Sequence, residues 1–224
     1  MPSYENPLAL DLGYALERNE FRLVYQPQLD LRTGKLAGVE ALLRWEHPVR
    51  GVVFPYEIIP LAEETGWIAA ISEWVLQTAC RQNKAWQEAG LPPLIVSVNL
   101  SARQLNYTGL SRTVRRIIEE EDLAPEYLAL EITESNMLDI QRALPVLTEL
   151  KQIGVKLSLD DFGTGYNSFA YLRQLPVDRI KIDKSFISTC TIDEMDADIV
   201  KTLIALAHRL NIGVTAEGVV TKEQ

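Results

Sequence analysis

Lys156-Leu157-Ser158-Leu159-Asp160-Asp161-Phe162-Gly163-Thr164-Gly165-Tyr166 decides how this chain is read. An apolar strand runs into two adjacent carboxylates and then into a turn broken by glycines. Two ionised aspartates at the end of a buried strand are costly unless something positive neutralises them. Taken alone, the pair reads equally well as a turn or a helix N-cap. The rest of the chain repeats the arrangement.

Before this stretch, helical spacing covers 8–19, and strands are expected over 21–26 and 36–43. Pro27 ends the first, and the turn 30–34 leaves no room for a helix between the two. They therefore form an antiparallel hairpin that sets Gln26 roughly opposite Glu40. Helices follow over 55–64 and 68–89. Strands at 94–99, 128–131, 156–160, 179–182 and 212–217 then alternate with helices at 110–120, 142–153, 169–175 and 194–210. Strands alternating with helices predict an α/β fold with a mostly parallel, doubly covered sheet. The 224 residues, 47% hydrophobic, suffice for one large domain over 1–224.

The net charge of −9 argues against a DNA or RNA polymer or an anionic membrane as partner. An anionic substrate would need local cations, most simply metal ions. Cys80 and Cys190 have no zinc spacing, so a reducing compartment is expected. No signal peptide or membrane span is visible. The expected location is the cytoplasm, or the cytoplasmic part of a larger, membrane-anchored protein.

From the second strand onward each strand carries, at or near its end, a polar residue suited to metal or phosphate chemistry. These are Glu40, Asn99, Glu131, Asp160 with Asp161, Lys181 and Glu217. In a β/α barrel such ends converge on one mouth. Carboxylates and an amide, without histidine or cysteine, suit Mg²⁺, Mn²⁺ or Ca²⁺. So many acidic groups call for two ions, the arrangement used in phosphodiester hydrolysis. Two other chemistries share the features: proton abstraction beside a single Mg²⁺, and a Schiff base on Lys181. His47 reads as a turn residue, and the run 119–122 as a solvated helix end.

These motifs resemble the EAL-domain phosphodiesterases that act on cyclic di-GMP. The resemblance rests on Glu40-Ala41-Leu42 within 38–45 and on Tyr25-Gln26-Pro27, Val98-Asn99-Leu100-Ser101 and Glu131-Ile132-Thr133-Glu134-Ser135. Asp160 to Gly165, Lys181-Ile182-Asp183 and Ala216-Glu217-Gly218-Val219 complete it. It implies a modified TIM-type barrel with an antiparallel first strand. It also implies hydrolysis of cyclic di-GMP to linear pGpG by water activated by two Mg²⁺ or Mn²⁺ ions, with Ca²⁺ a candidate inhibitor.

The resemblance assigns metal binding to Glu40, Asn99, Glu131, Asp160, Asp161 and Glu217, and catalysis to Glu40, Lys181 and Glu217. Gln26 and Arg44 take the substrate, and Glu134 supports the loop that carries Asp161. A homodimer through 162–171 and fusion to sensory domains are implied as well. The alternative within the same fold is a non-catalytic cyclic di-GMP receptor. Three departures stand out: Val220 replaces a usual glutamate, and Asn167 and Phe169 follow the glycine loop in place of serine and leucine. The chain also stops before the family's last strand and its glutamine, so a native continuation is expected.

Overall fold

A computed structural model describes residues 7–105, 107, 109–134, 140–164 and 172–224. They form two compact units, one within residues 1–128 and one within residues 129–224.

The first unit opens with helix α1 (Pro7–Ala15), which buries Leu8, Ala9, Leu12 and Ala15. Strands β1 (Phe21–Leu29) and β2 (Leu36–His47) pair antiparallel, and their register sets Gln26 directly opposite Glu40. This is the hairpin expected from the short turn. Both strands run further than expected. Pro27 lies inside β1, opposite Val39, because among the described residues β1 pairs with β2 alone. On such a strand a missing N–H need break no ladder bond. Strand β2 continues because Trp45 and His47 are both buried and pair with a third strand, β3 (Gly51–Val53), that hydropathy did not reveal.

Helices α2 (Pro55–Thr65) and α3 (Ile68–Glu88) follow near their expected limits. Strand β4 (Ile95–Leu100) then lies parallel to β2, with Glu40 beside Ser97. The short α4 (Ala102–Leu105) was not foreseen, whereas α5 (Leu110–Glu120) was. Ends of α3 and α5 are clasped by ion pairs. Arg81 grips Glu121 at 2.7 Å and Lys84 meets Asp122 at 2.5 Å. The acidic run 119–122 is thus an anchor as well as a solvated end. Arg81 holds the Glu121 carboxyl below its ordinary range.

A buried amide locks α3 to the sheet. Asn83 is fully buried, and its Nδ2 donates to the carbonyls of Leu94 (2.9 Å) and Tyr127 (3.1 Å). Losing one donor that satisfies buried carbonyls costs about 1–3 kcal/mol. Asn83→Ala is therefore expected to lower unfolding free energy by that amount in urea titration, with an unchanged slope. An unaltered midpoint would show that the amide ties nothing.

The second unit is an all-parallel sheet in the order β5 (Leu128–Thr133), β6 (Lys156–Phe162), β7 (Arg179–Ile182), β8 (Gly213–Ala216). Between these strands run α6 (Ile140–Ile153), α7 (Lys184–Thr189) and α8 (Glu194–Arg209). Helix α6 buries Ala143, Leu147 and Leu150, one stripe at helical spacing. Asp193 caps α8 by accepting the Met195 N–H at 2.8 Å, with Glu194 and Asp196 in the first turn, where a helix favours negative charge. The helical turn expected over 169–175 lies outside the described residues up to 171. Residues 172–175 form turns and a bend. Helix α7 was not foreseen.

Every site strand alternates. Leu130 and Ile132, Leu157 and Leu159, and Ile180 and Ile182 are buried aliphatics. Between them stand Glu131, Ser158, Asp160, Arg179 and Lys181. Because the period of a strand is two, pairing Glu131 with Ser158 and Ser158 with Arg179 puts these polar residues on one face. In the first unit, Glu40 beside Ser97, with Asn99 two residues on, follows the same rule. Among the described residues no helix is long and apolar enough to cross a membrane.

Candidate functional site

The centre of the second unit's polar face is Lys181. It is only 2% exposed, and its ammonium contacts three carboxylates. These are Glu131 Oε2 at 2.6 Å, Glu217 Oε1 at 2.8 Å and Asp160 Oδ1 at 3.1 Å. Register accounts for the convergence. Lys181 pairs with Thr215 on β8, and Glu217 follows on the same face two residues later. A hydrogen bond from the Glu217 N–H to the Ile182 carbonyl, 3.1 Å, continues the ladder past the end of β8.

Asp161 needs a separate cause. In a regular strand adjacent side chains point to opposite faces, so Asp160 and Asp161 should not meet. Asp161 instead adopts φ +52°, and the β6–β7 register shifts between Leu159 and Phe162. This is the signature of a bulge that re-aims a side chain. Its result is that carboxylate oxygens of Asp160, Asp161 and Glu217 lie within 4.8 Å of one another.

The reversed turn is held at both ends. Thr164 Oγ1 donates to the Asp161 carbonyl at 2.8 Å, and Asp161 N–H donates to Asp160 Oδ1 at 3.0 Å. Gly163, at φ +103°, donates its N–H to Oε2 of buried Glu134 at 3.0 Å. A Cβ at Gly163 would lie 2.9 Å from the Phe186 ring of α7, so with this φ any other residue would strain the turn. Burial, and then the carboxylates of Asp160 and Asp183, push the Asp161 carboxyl above its ordinary range, against the pull of Lys181 and Lys184.

In the first unit Glu40 is paired with Asn99, whose Nδ2 donates to Glu40 Oε1 at 2.8 Å. With Nδ2 so engaged, the amide's Oδ1 is the atom suited to a cation. Gln26 is exposed on the strand opposite Glu40. Arg44 donates from Nη1 to the Leu43 carbonyl at 2.7 Å, and its guanidinium lies 5.0 Å from the Phe54 ring centre. Phe54 was missed from sequence because the β2–β3 turn that positions it was missed. The clue was Val52-Val53 after Gly51, a β-branched pair behind a turn residue.

Of the six expected ligands, three are gathered by the second unit around one point, and Glu131 reaches the same lysine. Glu40 and Asn99 stand together in the first unit. His47 serves its turn: Nδ1 accepts the N–H groups of Val49 and Arg50, both at 3.1 Å. Nε2 must then carry the proton, and it faces Asp11 Oδ2 at 3.2 Å. Of the segment expected to form a dimer contact, 162–171, residues 165–171 lie outside the described residues.

The donor set fits a hard divalent cation. Asp160, Asp161, Glu217 and Glu131 bring four negative charges against the single positive charge of Lys181, an excess of three. Oxygen donors in this spacing can hold a metal ion, and Mg²⁺ and Mn²⁺ favour such donors.

Comparison with known proteins identifies the family. The EAL domain family model matches residues 9–224. MucR of Pseudomonas aeruginosa, named a bifunctional diguanylate cyclase/cyclic di-GMP phosphodiesterase, is 46% identical over 96% of this chain and 31% of its own length. NbdA of the same organism, named a cyclic di-GMP phosphodiesterase, is 42% identical over 96% of this chain and 28% of its own. The chain therefore spans less than a third of either relative. A solved MucR phosphodiesterase in complex with c-di-GMP superposes with a TM-score of 0.92 at 45% identity, covering 97% of this chain and 88% of that one. This chain belongs to the EAL domain family. EAL domains are modified TIM-type barrels, so the α/β class expected from the alternation is the right one.

Proposed function

We propose that this chain hydrolyses cyclic di-GMP to the linear dinucleotide pGpG in the presence of Mg²⁺ or Mn²⁺. The observation that carries the reading is the turn at Asp161. A residue other than glycine at positive φ costs on the order of 1–3 kcal/mol and clusters at functional sites. Here it brings a second carboxylate beside Asp160 and Glu217, which repulsion alone opposes. Cations are what make that arrangement useful.

In this reading Asp160, Asp161, Glu217 and Glu131 are ligands from the second unit, and Glu40 and Asn99 are ligands from the first. Two divalent ions, when bound, supply Lewis acidity at the phosphate and lower the pKa of the attacking water. The chain's own groups do the rest. Gln26 and Arg44 hold the dinucleotide. The Lys181 ammonium offsets charge as it builds on the phosphoryl oxygens and orients the water. Glu217, a carboxylate 2.8 Å from that ammonium, takes the water's proton. A bond forms from the water oxygen to phosphorus, the P–O3′ bond breaks, and O3′ leaves with the bonding pair and takes a proton from solvent, to which Glu217 returns the one it received. The product has a 5′-phosphate and a free 3′-hydroxyl. Substrate charge is met locally, consistent with a net charge of −9.

Incubation with cyclic di-GMP and Mn²⁺, followed by chromatography, tests the reading. Accumulation of pGpG, abolished by chelator, is the expected result. Tight binding without product in Mg²⁺ or Mn²⁺ would make the chain a receptor of the same fold.

Glu134 supports the site through the loop. We expect Glu134→Ala to weaken divalent-ion binding by about 10–100-fold, since groups that orient ligands contribute on that scale. Calorimetric titration with Mn²⁺ measures this directly, and unchanged affinity would mean the turn at Asp161 holds its own shape. The dimer through 162–171 is also proposed, and sedimentation at increasing concentration tests it.

A further inference from the structure

On the polar face of β2, Arg44 stands four residues beyond Glu40, roughly 13 Å along the strand. Its guanidinium is restrained twice: by the Leu43 carbonyl at 2.7 Å, and by the Phe54 ring, 5.0 Å from Cζ to centroid. Phe54 follows directly on β3, which runs back along the end of β2. The Phe54 ring is in turn parallel to that of Tyr56, at 6.1 Å between centroids and 9° between planes. Both rings are exposed, Phe54 by 41% and Tyr56 by 74%. Their neighbour Val53 is buried at 2%, so the aromatics are not there to complete the core.

An exposed arginine normally samples many rotamers, and fixing one costs entropy on every binding event. A guanidinium held over a ring is pre-organised, and its planar surface is one on which nucleic-acid bases stack. We propose that Phe54, backed by Tyr56, positions the Arg44 guanidinium as a stacking platform for a purine base of the substrate. The proposal rests on the reading of the chain as a cyclic di-GMP phosphodiesterase. Phe54 acts through Arg44, not on the phosphate, so its loss weakens binding and leaves the chemical step alone.

The test combines metal-free binding of cyclic di-GMP by calorimetry with steady-state kinetics in Mn²⁺. Phe54→Ala is expected to raise Kd and KM about tenfold, within the range of a base stack, with kcat within about twofold of the parent. Phe54→Trp should restore both, whereas Phe54→Leu, which keeps apolar bulk without the ring, should not. In an Arg44→Ala background, Phe54→Ala should add no further loss. Parent-like binding by both Phe54→Ala and Phe54→Leu would overturn the proposal, as would losses that multiply in the double variant or a fall in kcat at constant KM. If the unaltered protein neither binds nor cleaves cyclic di-GMP, the functional reading fails. If it does both and the Phe54 variants match it, this inference alone fails.

Discussion

Replacing Lys181 with methionine is expected to destabilise the metal-free protein by about 3–5 kcal/mol, the cost of stranding buried charges whose partner is removed. Methionine keeps the apolar stem and deletes only the ammonium. Glu131, Asp160 and Glu217, all within 3.1 Å of that ammonium, would then face one another without a cation. Glu131 is 1% exposed and Asp160 8%, so water cannot readily take the lysine's place. At about 2–4 °C per kcal/mol for a chain of this size, the melting temperature should fall by about 10 °C. Saturating Mn²⁺ should recover much of the loss, because the proposed divalent ions would bring charge into the same cluster. Activity should not return with stability. It should stay at least about a hundredfold down, since the charge proposed to meet the phosphate in the transition state is gone. An equal loss of melting temperature with and without metal would show that the cluster does not take up the ion.

Glu40→Gln is the second large effect. The amide keeps the size of the side chain and its contact with Asn99, now 2.8 Å, but removes one negative charge from the proposed ligand set. Turnover should fall at least about a hundredfold, on the scale of losing one electrostatic contact in an active site. Binding of cyclic di-GMP should suffer less, since the proposed substrate contacts Gln26 and Arg44 remain. Rates measured across a Mn²⁺ titration separate lost metal from lost chemistry. A variant that reaches the parent's kcat at saturating Mn²⁺ would remove Glu40 from the ligand set.

What the sequence made legible was the succession of strands and helices from residue 94 onward and the polar residue that each strand carries at or near its end. The parity within strands, aliphatics on one face and charged groups on the other in Leu128–Thr133, Lys156–Asp160 and Arg179–Ile182, was not read there, because runs this short pass for continuous apolar strands. The hairpin register of Gln26 against Glu40 followed from a turn too short to hold a helix. Other features needed coordinates. Nothing in Asp160-Asp161 says that the second carboxylate turns back toward the first. That depends on a positive φ at Asp161, made tolerable by Gly163 and by the Glu134 carboxylate 29 residues earlier. The convergence of three carboxylates on Lys181 is likewise a matter of register between strands far apart in the sequence, which hydropathy does not specify. The Phe54 contact with Arg44 was hidden because β3 is three residues long, too short for periodicity to register. Pro27 misled in the opposite direction: the rule that proline ends a strand fails where, as among the described residues here, the strand pairs on one side only.

The most direct measurement is hydrolysis of cyclic di-GMP in water enriched in ¹⁸O, with Mn²⁺ present, read by mass spectrometry. The account predicts pGpG carrying a single ¹⁸O on its 5′-phosphate after one turnover of each molecule, and no product when the metal is chelated. Cyclic di-GMP recovered bound and intact in Mg²⁺ and in Mn²⁺, or product formed at the same rate without metal, would contradict it.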